Sequence, residues 1–343
     1  MRVLVLGGTW FLGRAVVRGA LGRGWEVTTF NRGRSSADAD GVEAIRGDRT
    51  VPEDLRRLSA AGPWDAVVDT SGYVPVEVLA SARALAGVVG RCVFVSTVSV
   101  YEGWPVEPLS EDSPVLECPP DAGSGFGADD PRGYPTQYGF QKAGAERAVL
   151  EVFSADRTTA LRPGVILGPG EYVGRLPWWL RRAHAGGRVL APGDPDRWIQ
   201  PVDVRDVAAF ALDCVASETA GAFNVTAPPG HATFGTMLAV CAAVSGGHPE
   251  FEWVPDEFLL RQGVRQWTEL PLWRTYPGTW RVDGSRARAA GLVCRPLSDT
   301  VADTWAWMAA GGALVDNERA DEIGMSAERE RAVLAAWDAQ PRG

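Results

Sequence analysis

The chain has 343 residues, 45% of them hydrophobic, enough for one large α/β unit or two modest domains with a sizeable core. Its net charge of -9 argues against binding a phosphate backbone, which needs clustered basic surface, so no nucleic-acid partner is expected. The five cysteines (Cys92, Cys118, Cys214, Cys241 and Cys294) form no C-x-x-C pair, the chain opens without a signal-peptide pattern, and no apolar run approaches a membrane span. Reduced thiols, a cytoplasmic setting and no membrane partner are therefore expected.

The chain opens with RVLVLG, a short Val-rich run that reads as a buried strand, and then GGTWFLG, a tight turn into the helical pattern RAVVRGALGRG. A strand, a glycine turn and a helix N-terminus together present backbone N–H groups and the positive end of the helix dipole to a pyrophosphate. Candidate cofactor-binding residues on this turn are Gly7, Thr9, Trp10, Phe11, Leu12 and Gly13. Trp10 stands where a middle glycine is usual. It is accommodated if its Cβ points away from the phosphates and its ring lies over the cofactor or packs on the surface.

The second run, WEVTTFN, ends without the acidic residue that would bond a ribose 2′-hydroxyl. Neutral Asn31 is followed by Arg32 and Arg34, which suit a 2′-phosphate, so NADP(H) is expected over NAD(H). The third run, VEAIRGD, also reads as a buried strand, and the Asp48–Arg49 pair after it is placed beside the adenine. The fourth, WDAVVDTSG, delivers Thr70, Ser71 and Gly72 to the sheet edge where ligands bind in open α/β folds. The intervening PEDLRRLSAAG and PVEVLASARALAGVVG are amphipathic helices, and the alternation predicts a parallel sheet covered on both faces.

The fifth run, RCVFVSTVSVY, carries Thr97, which can hydrogen-bond a substrate oxygen, with Ser99 as the alternative. Residues 102–135 then break the rhythm. They are rich in Pro, Gly and acids, and a loop of that length is usually functional or disordered. It can close over a substrate, with Glu107, Glu111, Asp112 and Glu117 facing solvent.

QYGFQKAGAERAVL follows, with Tyr138 and Lys142 four residues apart on one helical face. Among 34 lysine and arginine residues, Lys142 is the one lysine. A compact ammonium can lower a tyrosine pKa from its usual value near 10 and reach ribose hydroxyls; the wide arginine fork is less suited to both. Tyr138 is thus the candidate acid–base and Lys142 its partner. A sixth strand, TTALRPGVIL, closes the series. Later segments suggest two or three more helices and at least one more strand, then helices at SDTVADTWAWMAAGG and ERERAVLAAW.

These motifs resemble an extended or atypical short-chain dehydrogenase/reductase of the NAD(P)-dependent epimerase/dehydratase-like superfamily. GGTWFLG, NRG, GDR, the ST…VY strand end, YGFQK, LRPGVILGPGE and WIQPVDVRDVA carry the likeness over about residues 1–230. The resemblance implies an α/β Rossmann fold, a doubly wound parallel sheet formed by residues 1–170 and 198–228. It also implies a smaller substrate-binding domain formed by 171–197 and 229–343. It implies that Thr97 polarises the substrate oxygen, Tyr138 moves the proton, Lys142 positions the ribose, and Pro163 and Val165 lie along the nicotinamide. The strand end lacks the Asp-Glu pair of sugar-nucleotide dehydratases, and LRPGVILGPGE is closer to ketone- and alcohol-active reductases.

Fourteen tryptophans, ten of them beyond residue 170, tilt the expected substrate toward an apolar or aromatic small molecule. His184, His231 and His248 are isolated, so no metal site is expected. The leading expectation is an NADP(H)-dependent oxidoreductase acting on a carbonyl or alcohol carbon, as monomer or homodimer. The alternatives are an epimerase using transient oxidation of a sugar-nucleotide-like substrate, and a non-catalytic cofactor-sensing or RNA-associated member.

Overall fold

The structure, a computed structural model, describes residues 1–132, 134–312 and 322–340. Its centre is a seven-stranded parallel sheet. In chain order the first half supplies β1 (Arg2–Leu6), α1 (Phe11–Gly22), β2 (Glu26–Asn31), β3 (Glu43–Arg46), α2 (Pro52–Ala60), β4 (Trp64–Asp69), α3 (Pro75–Leu85), β5 (Val89–Val95), α4 (Tyr134–Phe153) and β6 (Thr158–Pro163). The second half supplies β7 (Ile166–Leu167), α5 (Arg175–Ala185), β8 (Gly187–Pro192), β9 (Trp198–Ile199), β10 (Val202–Asp203), α6 (Val204–Ala216) and β11 (Gly221–Val225). After these come β12 (Ala232–Thr233), α7 (Phe234–Ser245), β13 (Pro249–Val254), α8 (Asp256–Arg261), α9 (Ser285–Ala289), α10 (Leu297–Ala309) and α11 (Ala327–Asp338).

The sheet order is β11-β6-β5-β4-β1-β2-β3. The chain runs outward from β1 through β2 to β3, then returns to β4 on the other side of β1. That reversal leaves a crevice at the carboxyl ends of β1 and β4, the place where open α/β sheets bind ligands. Successive side chains on a strand point to opposite faces, and β1 shows the consequence. Val3 and Val5 pack into the core shared with α1 and α6, while Leu4 and Leu6 join the core under α2, α3 and α4. A third core lies off the sheet, built from α5, α7, α8, α10, α11 and the parallel pair β8–β13.

Three readings change. VEAIRGD forms β3, but as a mostly exposed edge strand, because nothing pairs beyond it. WIQPVDVRDVAAFALDCV holds two short strands before α6: Trp198 and Ile199 pair with β12, and Val202 and Asp203 pair with β7. The 102–135 segment is an ordered excursion as far as residue 132. Its Leu109 and Leu116 pack with Val98, Val100, Tyr101, Ala143 and Val282, and its Val115 bridges Tyr101. Glu111 turns inward: its carboxylate accepts the Asn224 backbone N–H at 2.9 Å, whereas Glu107, Asp112 and Glu117 are exposed as expected. Gly133 of that segment, and residues 313–321 and 341–343 of the expected substrate domain, lie outside the described residues.

Candidate active site

A cavity of about 750 Å³ opens at the β1/β4 crevice and runs on toward the third core. Such a volume is large for a single small metabolite and suits a dinucleotide with a substrate beside it. The glycine turn forms one wall. Gly7, Thr9, Trp10, Phe11, Leu12 and Gly13 all line it. The turn cannot take a larger residue at Gly13, because an added Cβ would sit 2.6 Å from the Gly8 amide nitrogen and 2.8 Å from the Thr70 hydroxyl. The first turn of α1 carries no acid, so its exposed N–H groups face an anion without local repulsion.

Trp10 occupies the N-cap of α1 with extended backbone, φ −128°. Its ring leans on Tyr172, with centroids 4.4 Å apart, and so packs along the cavity wall. The indole N–H is buried without a hydrogen-bond partner among the described residues. Replacing Trp10 by glycine is expected to leave dinucleotide affinity within about tenfold, since glycine at an N-cap costs only tenths of a kcal/mol. Complete loss of binding in a fluorescence titration would make the indole an obligatory ligand.

At the tip of β2, Arg32 and Arg34 are exposed and line the cavity. Arg32 lies 3.9 Å from Asp48, a loose contact that leaves the guanidinium available. Asn31 is committed to the loop. Its carbonyl oxygen accepts the Gly33 N–H (2.9 Å) and Arg46 Nη1 (2.6 Å), and its amide donates to Asp38 (3.0 Å). Burial would raise the Asp38 carboxyl, but hydrogen bonds from Arg46, Asn31 and Thr29 hold it below its ordinary range. Two serines that sequence reasoning missed tie this loop to the glycine turn. Ser35 and Thr9 hydroxyls lie 2.7 Å apart, and the Ser36 hydroxyl donates to the Thr9 carbonyl. The only signal was the SerSer pair following the arginines.

Asp48 and Arg49 line the cavity but do not act as a pair. Asp48 accepts the Thr50 N–H and hydroxyl, at 3.0 and 2.9 Å. Arg49 forms a buried two-point ion pair with Asp69, at 3.0 and 2.9 Å, and also donates to Ser71 at 2.9 Å. Burial would raise the Asp69 carboxyl, yet the Arg49 charge and hydrogen bonds keep it below its usual value. Thr70 and Ser71 reach the cavity, but Gly72 is set back from it. The Gly72 carbonyl instead accepts Lys142 Nζ at 2.6 Å.

Thr97 ends the fifth strand and caps a short turn, its hydroxyl accepting the Ser99 N–H at 3.2 Å. Helix α4 comes close to that turn because its residue 139 is glycine: a Cβ there would meet the Ser99 carbonyl at 2.1 Å. The approach puts Tyr138, Lys142, Thr97 and Ser99 on one cavity wall, with Tyr138 beside the Tyr73 ring at 6.4 Å. Lys142 is almost fully buried. Its ammonium donates to the Gly72 and Val95 carbonyls, both at 2.6 Å, and lies 4.2 Å from the Phe94 ring centroid. Burial pushes its pKa down to about 7, against the opposing pull of Asp69 and Glu146. An ammonium has three donors, so one N–H remains beyond the two carbonyl seats. Pro163 and Val165 line the same end of the cavity.

The tryptophans largely serve packing. Of those beyond residue 170, Trp267 lines the cavity; Trp179 and Trp273 are fully buried core, Trp280 is buried, and Trp198 is exposed. Trp10 and Trp104, from outside that region, also line the cavity. Composition could not separate core from site, because both bury aromatic surface. Glu171, another cavity residue missed in the sequence, accepts the Arg175 and Leu176 N–H groups at 3.1 Å and so caps α5. His184 and His231 contact backbone carbonyls, and no metal-binding group of three ligands is present among the described residues. No helix among these residues is long and apolar enough to cross a membrane.

The chain is 35% identical over 229 residues to 2-alkyl-3-oxoalkanoate reductase of Stenotrophomonas maltophilia, covering 62% of this chain and 64% of that one. It is 31% identical over 228 residues to 2′-dehydrokanamycin reductase of Streptomyces kanamyceticus, covering 64% and 59%. Thus the chain spans under two thirds of these two relatives' length. It is also 26% identical over 276 residues to the chloroplast stem-loop binding protein of 41 kDa b of Arabidopsis thaliana, covering 75% and 67%. Among solved structures, UDP-glucose 4-epimerase of Thermotoga maritima superposes with a TM-score of 0.66 at 18% identity, covering 91% of this chain and 99% of that one. The Thermus thermophilus enzyme of that name gives 0.62 at 22%, covering 90% and 99%, and these two likenesses speak to the fold. The family model of the NAD dependent epimerase/dehydratase family matches residues 3–226, and the chain belongs to that family.

Proposed function

We propose that the protein is an NADP(H)-dependent oxidoreductase that reduces a carbonyl, or oxidises the corresponding alcohol, on a small molecule with an apolar or aromatic body. The observation that carries this reading is the shared cavity wall of Thr97, Tyr138 and Lys142, which opens onto the same space as the glycine cradle and the two arginines at the β2 tip. The nicotinamide, when bound, supplies or accepts the hydride. Tyr138 gives its phenolic proton to the oxygen of the carbonyl, or takes it back from the alcohol. Thr97, with Ser99 beside it, donates a hydrogen bond to the same oxygen. Lys142 directs its third N–H toward the ribose side and places a positive charge near the phenol. Tyr73, Trp104, Tyr172 and Trp267 line the rest of the cavity and suit an apolar body. The substrate side belongs to residues 171–197 and 229–343, and the cofactor side to 1–170 and 198–228. The two relatives named as reductases support this chemistry.

The cofactor assignment rests on Arg32 and Arg34. A charge-assisted hydrogen bond contributes about 1.5–3 kcal/mol, roughly 10- to 150-fold in affinity. NADPH should therefore bind at least about tenfold more tightly than NADH when the purified chain is titrated with each. The Arg32→Ala/Arg34→Ala double variant should lose that margin while NADH binding stays constant. Retained NAD, with no net nicotinamide turnover on any ketone, would replace the reductase with an epimerase. Equal NADPH affinity in the variant would remove the arginines from the site.

A further inference from the structure

Beyond Arg32 and Arg34, the cavity carries a second pair of arginines. Arg175 opens α5, and Arg274 sits in a turn of the third core; both line the cavity. Both rest on one indole, with guanidinium carbons 5.3 Å (Arg175) and 4.5 Å (Arg274) from the Trp267 ring centroid. Two cations held on one ring repel each other, and cation–π contacts offset this only in part.

The turn that presents them is held in a strained form. Trp267 has φ +71° and Leu272 has φ +70°, left-handed conformations that are strained for residues other than glycine. Long-range bonds enforce it. The Trp267 N–H donates to the Trp273 carbonyl at 3.0 Å, the Thr275 N–H to Gln266 Oε1 at 2.7 Å, and Trp273 Nε1 to Asp256 at 2.8 Å. Strain of this kind, stitched in at a cavity, marks positions selected for what they present rather than for packing.

The charge balance identifies what is presented. Arg175 meets Glu171 at 3.4 Å, a carboxylate already shared with two helix N–H groups. Arg274 has no carboxylate within salt-bridge distance among the described residues. Burial pulls its pKa down to about 10, with Tyr276 opposing the fall and the neighbouring Arg175 adding to it. Arg274 is thus one cavity guanidinium with no carboxylate against it among the described residues, which matches a monoanion better than a phosphoryl dianion.

We propose that Arg274, with Arg175 beside it on Trp267, forms an anion subsite that takes the carboxylate of an oxo acid or hydroxy acid substrate. This rests on the reductase reading for the reaction, while the subsite itself is tested by binding alone. It narrows the substrate class to acids with an apolar or aromatic body, oriented by the carboxylate at Arg274.

The test is calorimetric titration of the full chain, saturated with NADP, using phenylpropanoate, its primary amide and phenylethylphosphonate as non-reacting probes. The carboxylate should bind at least about tenfold more tightly than the amide, as expected for a charge-assisted pair. In Arg274→Gln that ratio should fall below about threefold, and Arg274→Lys should keep part of it. Thermal melting and NADPH titration of both variants report whether the fold and cofactor site survive. Equal binding of acid and amide by the native chain would overturn the proposal without reference to any variant. So would an unchanged ratio in both variants, and so would a phosphonate bound tightest, which would assign a phosphoryl group instead. If NADPH oxidation fails with acetophenone and with benzoylacetate while the carboxylate preference persists and depends on Arg274, the reductase reading falls and the subsite stands. If both ketones are reduced with no preference for the acid, the reverse holds.

Discussion

Tyr138→Phe should lower turnover by about 10²- to 10⁴-fold, the range that general acid–base groups supply, while NADPH affinity changes little. The substitution removes one oxygen and keeps the ring that lies beside Tyr73 at 6.4 Å. Helix α4 should stay seated, because its approach to the Ser99 carbonyl depends on Gly139, and Lys142 keeps its two carbonyl partners. Single-turnover kinetics with a reduced ketone, run beside an NADPH titration, separates chemistry from binding. Near-native turnover in this variant would remove Tyr138 from the proton path. Lys142→Arg is a useful companion, because two carbonyls 2.6 Å from one nitrogen form a seat for a compact ammonium that a planar fork cannot occupy.

Glu146→Ala should cost about 3–5 kcal/mol of stability, because it leaves a buried guanidinium without its counter-ion. Glu146 lies one turn beyond Lys142 on α4 and receives two bonds from Arg162 of β6, at 2.9 and 2.6 Å, with both side chains under 10% exposed. Arg162 also donates to the Tyr101 hydroxyl at 3.0 Å, which donates to Asn224 of β11 at 2.7 Å. The network joins the helix that carries Tyr138 to the strand that ends at Pro163, so it acts as a positioning element. An unfolding entropy near 2.1 cal/mol/K per residue converts the loss to roughly 4–7 °C for a 343-residue chain. The Glu146→Met/Arg162→Met double variant should recover much of the melting temperature, since two apolar chains leave no buried charge unpaired. Recovery of melting without recovery of turnover would show that the pair orients α4; equal melting of Glu146→Ala and the native chain would show that the pair contributes nothing.

Local patterning already carries much of this protein. The alternation of Val-rich runs with amphipathic helices, the glycine turn and the four-residue spacing of Tyr138 and Lys142 are all written within a few residues of one another. Their consequences, a parallel sheet, an anion cradle and two side chains on one helical face, follow from backbone geometry alone. Even the lone lysine could be singled out, because residue type limits the chemistry available.

Partner choice across the fold was not legible. Arg49 was read with Asp48 because they are adjacent, yet it pairs with Asp69, twenty residues on, because β3 and β4 deliver both to one buried edge where an unpaired charge is too costly. Gly72 was read as a cavity residue and instead seats Lys142 from seventy residues away. The tryptophans as a group tilted the expected substrate toward an apolar body, yet those beyond residue 170 mostly became core, since hydrophobicity alone does not distinguish core from site. The Arg274–Trp267–Arg175 cluster joins a strained turn to a distant helix start. The sequence by itself determined which elements form and which chemistry they can carry, because those depend on period and residue type. Only the tertiary structure decided which charges meet and which stay unpaired, because burial and long-range contact set the cost of each ion.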